Sequence, residues 1–198
     1  IKRAIETAKQ VYTDTQIAHR PVSIVSLAYR KLKDLNVKLD ARFVIIGAGQ
    51  TNQLMAKFLK KHGFTNFVVF NRTLSNAQKL AEELGGRALP LKEITENKGG
   101  FDVILTCTAS AEHIIDSNTY AALKSGEKGK KTIIDLSIPN DIAPEVIAEN
   151  NPHYIDITAL QTMASENMKE RHKELEAYHA IIEENISTFR SVLKEGKV

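Results

Sequence analysis

The sequence predicts an α/β fold in which helices cover both faces of a parallel sheet. Three observations lead to this prediction. Short apolar segments alternate with amphipathic segments along most of the 198 residues, a glycine-rich turn follows the first apolar segment, and a charged stretch without Pro or Gly runs almost to the end. Fully apolar strands are typical of parallel sheets that are buried on both faces. We therefore expect a Rossmann-like doubly wound parallel sheet with a long C-terminal helical extension.

The predicted strands and helices follow one another in a regular order. Apolar positions recur at helical spacing in residues 22–35, and further amphipathic helices are predicted over 51–62 and 74–84, where glycines suit the helix ends. Parallel strands need crossover connections of this kind. The strands are predicted at 43–46, 67–70, 88–91, 103–106, 132–136 and 154–157.

The last region, residues 160–195, has apolar residues at mixed three- and four-residue steps. As one continuous helix it would be about 50 Å long and would need a partner helix to bury its apolar stripe. The simplest partner is the same helix of a second chain, which predicts a homodimer through the C-terminal helix. Two shorter helices folded back as a hairpin are the alternative.

Composition limits the cellular setting. Hydrophobic residues make up 42% of the chain, the net charge is +3, and Cys107 is the single cysteine, so an internal disulfide is excluded. A free cysteine fits a reducing compartment. The sequence has no apolar run near the roughly 18 residues that span a bilayer. We expect a cytoplasmic protein without a membrane partner.

The glycine-rich turn predicts a cofactor cradle. Gly47 can turn tightly out of the first strand, and Gly49 lets the backbone approach a pyrophosphate at the start of the next helix. Asn52 departs from the pattern, because a third glycine normally permits close packing of helix on strand. Asn52 either widens that packing or turns its amide towards a phosphate. The residues assigned to cofactor binding in this turn are Gly47, Ala48, Gly49, Gln50, Thr51 and Asn52.

The end of the second strand indicates which dinucleotide is bound. An acidic residue usually holds the adenine ribose of NAD at this place, but the sequence reads Asn71, Arg72 and Thr73. A guanidinium and a hydroxyl suit a 2′-phosphate. The predicted cofactor is therefore NADPH. The alternative is that Arg72 is a surface charge and Asn71 a turn residue.

Two further segments follow strands at the same edge of the sheet. Small and hydroxylated residues after the fourth strand would let the nicotinamide half approach, and a proline turn follows the fifth. The residues assigned to cofactor binding here are Thr106, Thr108, Ala109, Ile138 and Pro139.

Cys107 has no neighbouring His or Lys in sequence to make a thiolate, so we interpret it as a small, partly buried residue. We expect Asp135 to accept hydrogen bonds from loop amides rather than to transfer protons.

No catalytic or metal-binding residue is assigned from the sequence. His172, Glu176 and His179 share one helical face by their spacing, and such a set could hold a metal ion. A solvated helix face is the simpler interpretation.

Along nearly its whole length the sequence resembles the glutamyl-tRNA reductases. The similar segments include Ala8-Lys-Gln-Val through Ile17, Val22-Ser-Ile-Val-Ser26, Gly47-Ala-Gly49, Asn71-Arg-Thr73, Thr106-Cys-Thr-Ala109, Asp135-Leu-Ser-Ile-Pro-Asn-Asp-Ile142, and Tyr154 to Leu160 at the start of the last helix. The Asn-Arg-Thr motif is shared with shikimate dehydrogenases. The Asp135 to Ile142 stretch and the long helix are more particular to the reductases.

The resemblance implies an enzyme of three domains. An N-terminal catalytic domain binds glutamyl-tRNA and carries a cysteine that takes the glutamyl group as a thioester. A central domain brings NADPH, whose hydride reduces that thioester to glutamate-1-semialdehyde for tetrapyrrole (porphyrin and haem) synthesis. A C-terminal helical domain forms a V-shaped homodimer.

The chain departs from this pattern at its beginning, since nothing in it matches the cysteine motif and Cys107 belongs to the wrong domain. We expect residues 1–20 to be the tail of an absent catalytic domain, 21–153 to bind NADPH, and 154–198 to be the helical dimerisation segment. The isolated chain is then expected to be inactive, and glutamyl-tRNA to bind only the intact protein. Two alternatives stay open: an NADP-dependent oxidoreductase of the shikimate dehydrogenase type, and a non-catalytic dinucleotide-binding or assembly module.

Overall fold

The structure of the protein is a computed structural model that describes residues 22–194. The predicted tail at residues 1–20 lies outside the described residues. Residues 24–161 form one compact unit, and the described residues from 162 onward belong to a second.

The first unit is built on one six-stranded sheet in which every neighbouring pair of strands is parallel. The strand order is β3-β2-β1-β4-β5-β6, so the direction of winding reverses between β1 and β4. The predicted Rossmann-like fold class is confirmed. The strands are β1 Arg42–Ile46, β2 Asn66–Asn71, β3 Arg87–Pro90, β4 Val103–Thr106, β5 Thr132–Asp135 and β6 His153–Asp156.

Helices alternate with the strands along the chain. Their bounds are α1 Ile24–Asp34, α2 Gln50–Lys61, α3 Leu74–Leu84, α4 Ser117–Lys124, α5 Pro144–Asn150 and α6 Ile157–Lys194, with a 3-10 helix at Leu91–Glu96. The predicted bounds of the six strands and of α1, α2 and α3 agree with these to within two residues. Helix α6 begins three residues before the predicted segment, and α4, α5 and the 3-10 helix were not predicted from the sequence. Gly63 and Gly85 follow α2 and α3 with φ angles of +95° and +74°, as the predicted helix ends required.

Burial explains why the strands read as apolar throughout. The central residues of β1, β4 and β5 are completely enclosed, because helices pack on both faces of the sheet. Helix α2 buries Met55 and Leu59, and α3 buries Leu80 and Leu84, each at helical spacing. This core holds the strand ends, and the loops that follow them, in fixed positions.

The loops after β1, β2 and β4 meet at the carboxyl edge of the sheet. The amide of Gly47 donates to the carbonyl of Phe70 at 2.8 Å, and the amide of Cys107 donates to the carbonyl of Ile46 at 3.1 Å. The three loops are therefore tied together at the point where the strand order reverses, which is where ligands bind in sheets of this type.

Helix α6 is continuous over 38 residues, and those from 162 onward belong to the second unit. At 1.5 Å per residue it is about 57 Å long. The hairpin alternative is therefore wrong for the described part of the chain. Met168, Leu175 and Ile182 lie seven residues apart on α6 and are 59%, 46% and 38% exposed. Between residues 22 and 194, the structure contains no helix of sufficient length and apolarity to cross a membrane.

Candidate functional site

A cleft of about 350 Å³ opens at the carboxyl edge of the sheet. Eight of the residues predicted to bind the cofactor line it: Gly47, Ala48, Gly49, Asn71, Arg72, Thr73, Thr108 and Ala109. The cleft is also lined by Asn76, Leu91, Cys107 and Ile114, which were not assigned to the cofactor from the sequence. The fold thus brings together residues from three separate loops.

Gly47 is required by the geometry of the turn out of β1. Its φ angle is +93°, a conformation that residues with a side chain rarely adopt. A Cβ atom at this position would lie 2.5 Å from the carbonyl oxygen of Cys107. The loop can approach the loop after β4 this closely only because residue 47 is a glycine.

The N-terminus of α2 faces the cleft without a side-chain cap. Gly49 is the N-cap residue, and a Cβ atom placed on it would meet nothing within 4 Å. The first amides of a helix have no partner within the helix, and the helix dipole adds positive potential there. Gln50 and Thr51 form the start of this first turn. An anion such as a pyrophosphate fits this terminus.

Asn52, which replaces the usual third glycine, is completely buried. Its Nδ2 atom donates to the carbonyls of Ile46 at 2.7 Å and Gly47 at 2.8 Å. The amide therefore holds the end of β1 and does not point its donor at the cleft. Its Oδ1 atom is buried and has no hydrogen-bond partner among the described residues. The alternative in which this amide turns towards a phosphate is therefore not seen, and Asn52 instead links α2 to the end of β1 by two hydrogen bonds.

Asn71 connects the glycine-rich turn to the loop after β2. Its Oδ1 atom accepts from the amide of Ala48 at 3.1 Å, and its Nδ2 atom donates to the carbonyl of Thr73 at 2.9 Å. Arg72 lines the cleft, and its guanidinium has no ion-pair partner within the described part of the chain. The arrangement presents a free cation beside the turn, where it can bind a phosphate.

The opposite wall is fixed by the carboxylate of Asp141, which is completely buried. It accepts from the amide and hydroxyl of Thr108 at 3.0 and 2.5 Å, and from the hydroxyls of Thr106 and Ser137. Thr106 therefore contributes behind the wall and does not line the cleft. Asp141 was not assigned a role from the sequence, although it lies in the quoted Asp135 to Ile142 stretch.

Asp135 accepts from loop amides, as expected. The amides of Ser137 and Ile142 each donate to its carboxylate at 3.1 Å, and the hydroxyl of Tyr154 donates at 3.3 Å. Burial raises the pKa of Asp135, and the nearby charge of Asp141 acts in the same direction. The hydrogen bonds hold the loop after β5 against the sheet.

Cys107 is half-buried and its thiol donates to the carbonyl of Leu136 at 3.4 Å. Burial raises the pKa of this thiol, the carboxylates of Asp141 and Asp135 raise it further, and a hydrogen bond with Thr51 opposes them. A thiol in these surroundings stays protonated and is a poor nucleophile. The interpretation of Cys107 as a small, partly buried residue is confirmed.

The remaining predicted residues lie outside the cleft lining. Ile138 is 72% exposed in the loop after β5, and Pro139 follows it. On α6, the Nε2 atom of His172 lies 3.9 Å from the Oε1 atom of Glu176, and both side chains are exposed. Within residues 22–194 no group of three or more His, Cys, Asp or Glu side chains could hold a metal ion.

Comparison with known proteins assigns the family. The family model described as shikimate / quinate 5-dehydrogenase matches residues 26–163. A glutamyl-tRNA reductase from Marinomonas sp. (strain MWYL1) is 35% identical over 100% of this chain, which covers 47% of that protein. The chain thus spans about half the length of the curated relatives that it matches.

Solved structures agree with this result. The glutamyl-tRNA reductase from Methanopyrus kandleri superposes with a TM-score of 0.79 at 29% identity, over 98% of this chain and 49% of that one. The nucleotide binding domain of the glutamyl-tRNA reductase from Thermoplasma volcanium superposes with a TM-score of 0.57 at 21% identity, over 77% of this chain and 98% of that one. The resemblance drawn from the motifs is confirmed. The chain belongs to the shikimate / quinate 5-dehydrogenase family, and its similarity to glutamyl-tRNA reductases extends over its whole length.

Proposed function

We propose that this chain is the NADPH-binding and dimerising part of a glutamyl-tRNA reductase. The observation that supports the proposal most is the cleft itself. It is lined by the uncapped N-terminus of α2, by Gly47, which no other residue can replace without a clash, and by Arg72, which has no ion-pair partner among the described residues. Among the described residues that line the cleft none is acidic. A dinucleotide with several phosphates suits such a surface.

The choice of NADPH over NADH rests on Arg72. A carboxylate at this place would accept from the two ribose hydroxyls of NADH and repel a 2′-phosphate. Arg72 and Thr73 line the cleft there instead, and Asn71 holds their loop against the glycine-rich turn. The guanidinium supplies paired donors for a phosphate.

When bound, NADPH would supply a hydride to a glutamyl thioester. That chemistry would convert the thioester, one proton and NADPH into glutamate-1-semialdehyde, the free thiol and NADP⁺. This chain's residues would bind and orient the cofactor. We place the thioester-forming cysteine and the glutamyl-tRNA site outside this chain, because Cys107 is a protonated thiol that bonds to a backbone carbonyl.

We further propose that the three segments expected from the sequence have separate roles. Residues 21–153 bind the cofactor, residues 154–198 pair with the same segment of a second chain, and residues 1–20 connect to the catalytic part. The single cysteine fits a protein that works in the reducing cytoplasm.

Binding of the reduced cofactor tests the proposal directly. The chain contains no Trp, so the emission of the reduced nicotinamide can be followed without interference, and calorimetry gives an independent dissociation constant. We expect saturable binding of one NADPH per chain and much weaker binding of NADH. Absence of NADPH binding, or equal affinity for both cofactors, would contradict the proposal.

Activity measurements separate the proposal from its alternatives. We expect the isolated chain to oxidise no NADPH in the presence of glutamyl-tRNA, and to reduce no NADP⁺ in the presence of shikimate. The match to the shikimate / quinate 5-dehydrogenase model makes the second measurement necessary. Turnover with shikimate would support the alternative function, and turnover with glutamyl-tRNA would place the catalytic residue inside this chain.

Substitution of an exposed apolar residue of α6 tests the proposed dimer. Leu175 is 46% exposed and lies seven residues from both Met168 and Ile182, as in a helix-pairing seam. We expect sedimentation to show a dimer at micromolar concentration and Leu175→Glu to give a monomer. Glu176→Gln, at the neighbouring position, is the control and should remain dimeric. A monomeric wild-type chain would exclude pairing through α6.

A further inference from the structure

Asp135 and Asp141 form a buried pair of carboxylates behind the cleft wall. Both side chains are completely inaccessible to solvent, and Ser137 bonds to both of them, through its amide to Asp135 and its hydroxyl to Asp141. Their hydrogen-bond donors within the described residues are amides and hydroxyls only. Buried carboxylates are normally paired with a cation, so this arrangement is unusual.

The donors around Asp141 show which form of the carboxylate the fold accommodates. Each of the four hydrogen bonds that it accepts from described residues comes from an N–H or O–H group. An ionised carboxylate is an acceptor only, so this shell suits the charged form. His113, in the loop after β4, bonds through Nδ1 to the carbonyl of Asn140 at 2.8 Å, so this ring nitrogen is not directed at the carboxylate.

The position of Asp141 in the sheet indicates which half of the proposed cofactor lies on its side of the strand reversal. Arg72 follows β2, on the side of the strand reversal that the proposed function gives to the adenosine half. Thr108 follows β4, on the other side, and lines the cleft while its hydroxyl donates to Asp141 at 2.5 Å. In a doubly wound sheet the two halves of a dinucleotide bind on either side of the reversal. The nicotinamide half therefore belongs on the side of Asp141.

We propose that the Asp141 carboxylate, supported by Asp135, biases the cleft towards the oxidised, positively charged nicotinamide. This inference rests on the proposed function. A fixed negative charge stabilises the positive charge that develops on the ring as the hydride leaves, and so favours hydride donation. Coulomb's law with an effective dielectric constant of about 20 gives roughly a tenfold preference for a unit charge about 10 Å from the ring.

The ratio of the dissociation constants of NADPH and NADP⁺ measures this bias without any turnover. We expect Asp141→Asn to change the ratio about tenfold in favour of NADPH relative to wild type. Thr106→Val is the matched control, because it removes one donor to Asp141 but keeps the charge. It should leave the ratio within about twofold. Asp135→Asn serves as the second variant, and should shift the ratio in the same direction if Asp141→Asn does not fold.

The possible outcomes distinguish the proposed function from the inference about Asp141. Wild-type chain that binds neither form contradicts the proposed function and this inference with it. Binding of both forms with an unchanged ratio in the folded aspartate variants contradicts this inference alone. A shift in Thr106→Val as large as that in Asp141→Asn would assign Asp141 a packing role and would also overturn the inference.

Discussion

Charged side chains form ion pairs at the amino edge of the sheet, whereas the buried carboxylates at the carboxyl edge accept hydrogen bonds from uncharged groups. At the amino edge, Arg42 pairs with Asp102 at 2.9 Å and with Glu127 at 2.6 Å. Lys131, only 5% exposed, pairs with Glu127 and lies 5.3 Å from the ring centre of Phe101. At the carboxyl edge, Asp135 and Asp141 bond only to uncharged donors within the described residues.

The comparison shows which edge holds the fold and which edge is open to a ligand. The amino-edge network, Arg42, Asp102, Glu127 and Lys131, combines two cations with two anions and has no charge left over. A hollow of about 570 Å³ at that edge is larger than the cleft of about 350 Å³ at the other. Size therefore does not identify the site. The cleft is distinguished instead by Arg72, which has no ion-pair partner among the described residues, and by the uncapped N-terminus of α2, because a bound anion can satisfy both.

The largest expected effect is that of adding a methyl group to Gly47. Gly47→Ala would place a Cβ atom 2.5 Å from the carbonyl oxygen of Cys107 on a backbone with φ of +93°. We expect a loss of about 3 kcal/mol in the free energy of unfolding and no measurable NADPH binding. Urea unfolding and calorimetric titration measure the two effects.

Gly49→Ala is the matched control for this substitution. Its Cβ atom would meet nothing within 4 Å and its φ angle is −72°, so the fold should tolerate it. We expect stability within about 0.5 kcal/mol of wild type together with weaker NADPH binding, because the methyl group faces the cleft. If Gly49→Ala binds NADPH like wild type, the pyrophosphate does not approach this residue.

The next effect concerns Asn52. Asn52→Asp replaces the Nδ2 group, which donates both hydrogen bonds, by a carboxylate oxygen that faces the carbonyls of Ile46 and Gly47. We expect the free energy of unfolding to fall by about 3 kcal/mol. Gln53→Ala is the control, since Gln53 donates a single hydrogen bond, at 2.8 Å, to the carbonyl of Ala48, and its loss should cost about 1 kcal/mol. Equal losses of unfolding free energy in the two variants would show that the hydrogen bonds from Asn52 to β1 stabilise the fold no more than the single bond of Gln53 does.

The smallest effect is expected at the amino edge and depends on pH. Arg42 holds the pKa of Asp102 and of Glu127 at about 2, well below the ordinary range of carboxyl groups. A lowered pKa means that the network stabilises the fold above pH 4 or so, and that this contribution is lost as the pH falls towards about 2. At neutral pH, Arg42→Gln should cost about 1–2 kcal/mol, reduced by the partial exposure of the pair.

Urea unfolding of wild type and Arg42→Gln at several pH values checks this effect. The difference in the free energy of unfolding should shrink steadily below about pH 4, and NADPH affinity at neutral pH should be unchanged. A difference that stays constant down to pH 2 or so would mean that the ion pairs contribute nothing specific to stability.

Much of the fold could be predicted from the sequence because its signals are local. Apolar runs and glycines mark the strands and helix ends within a few residues of where they act, as Gly63 and Gly85 show. The glycine-rich turn and the Arg72 segment were found for the same reason, since each is a short motif at a strand end.

What the sequence did not reveal depends on contacts between distant residues. Arg42 lies 60 residues from Asp102 and 85 from Glu127, so no spacing in a single sequence reveals their pairing. Asp141 is 33 residues from Thr108, and its role appears only when β4 and β5 are side by side. The direction of the Asn52 amide, and the choice between a continuous α6 and a hairpin, likewise needed the packed structure.

The most direct test of the account is the cofactor preference at Arg72. The central claim is that the guanidinium of Arg72, at the carboxyl edge, selects NADPH. In wild type we expect NADPH to bind at least about 30-fold more tightly than NADH, and Arg72→Gln to reduce the preference to within about threefold, as the loss of a charge-assisted contact predicts. Arg87→Gln, an exposed arginine at the start of β3, is the control and should keep the wild-type ratio. An unchanged ratio in Arg72→Gln, or equal binding of the two cofactors by wild type, would contradict the claim.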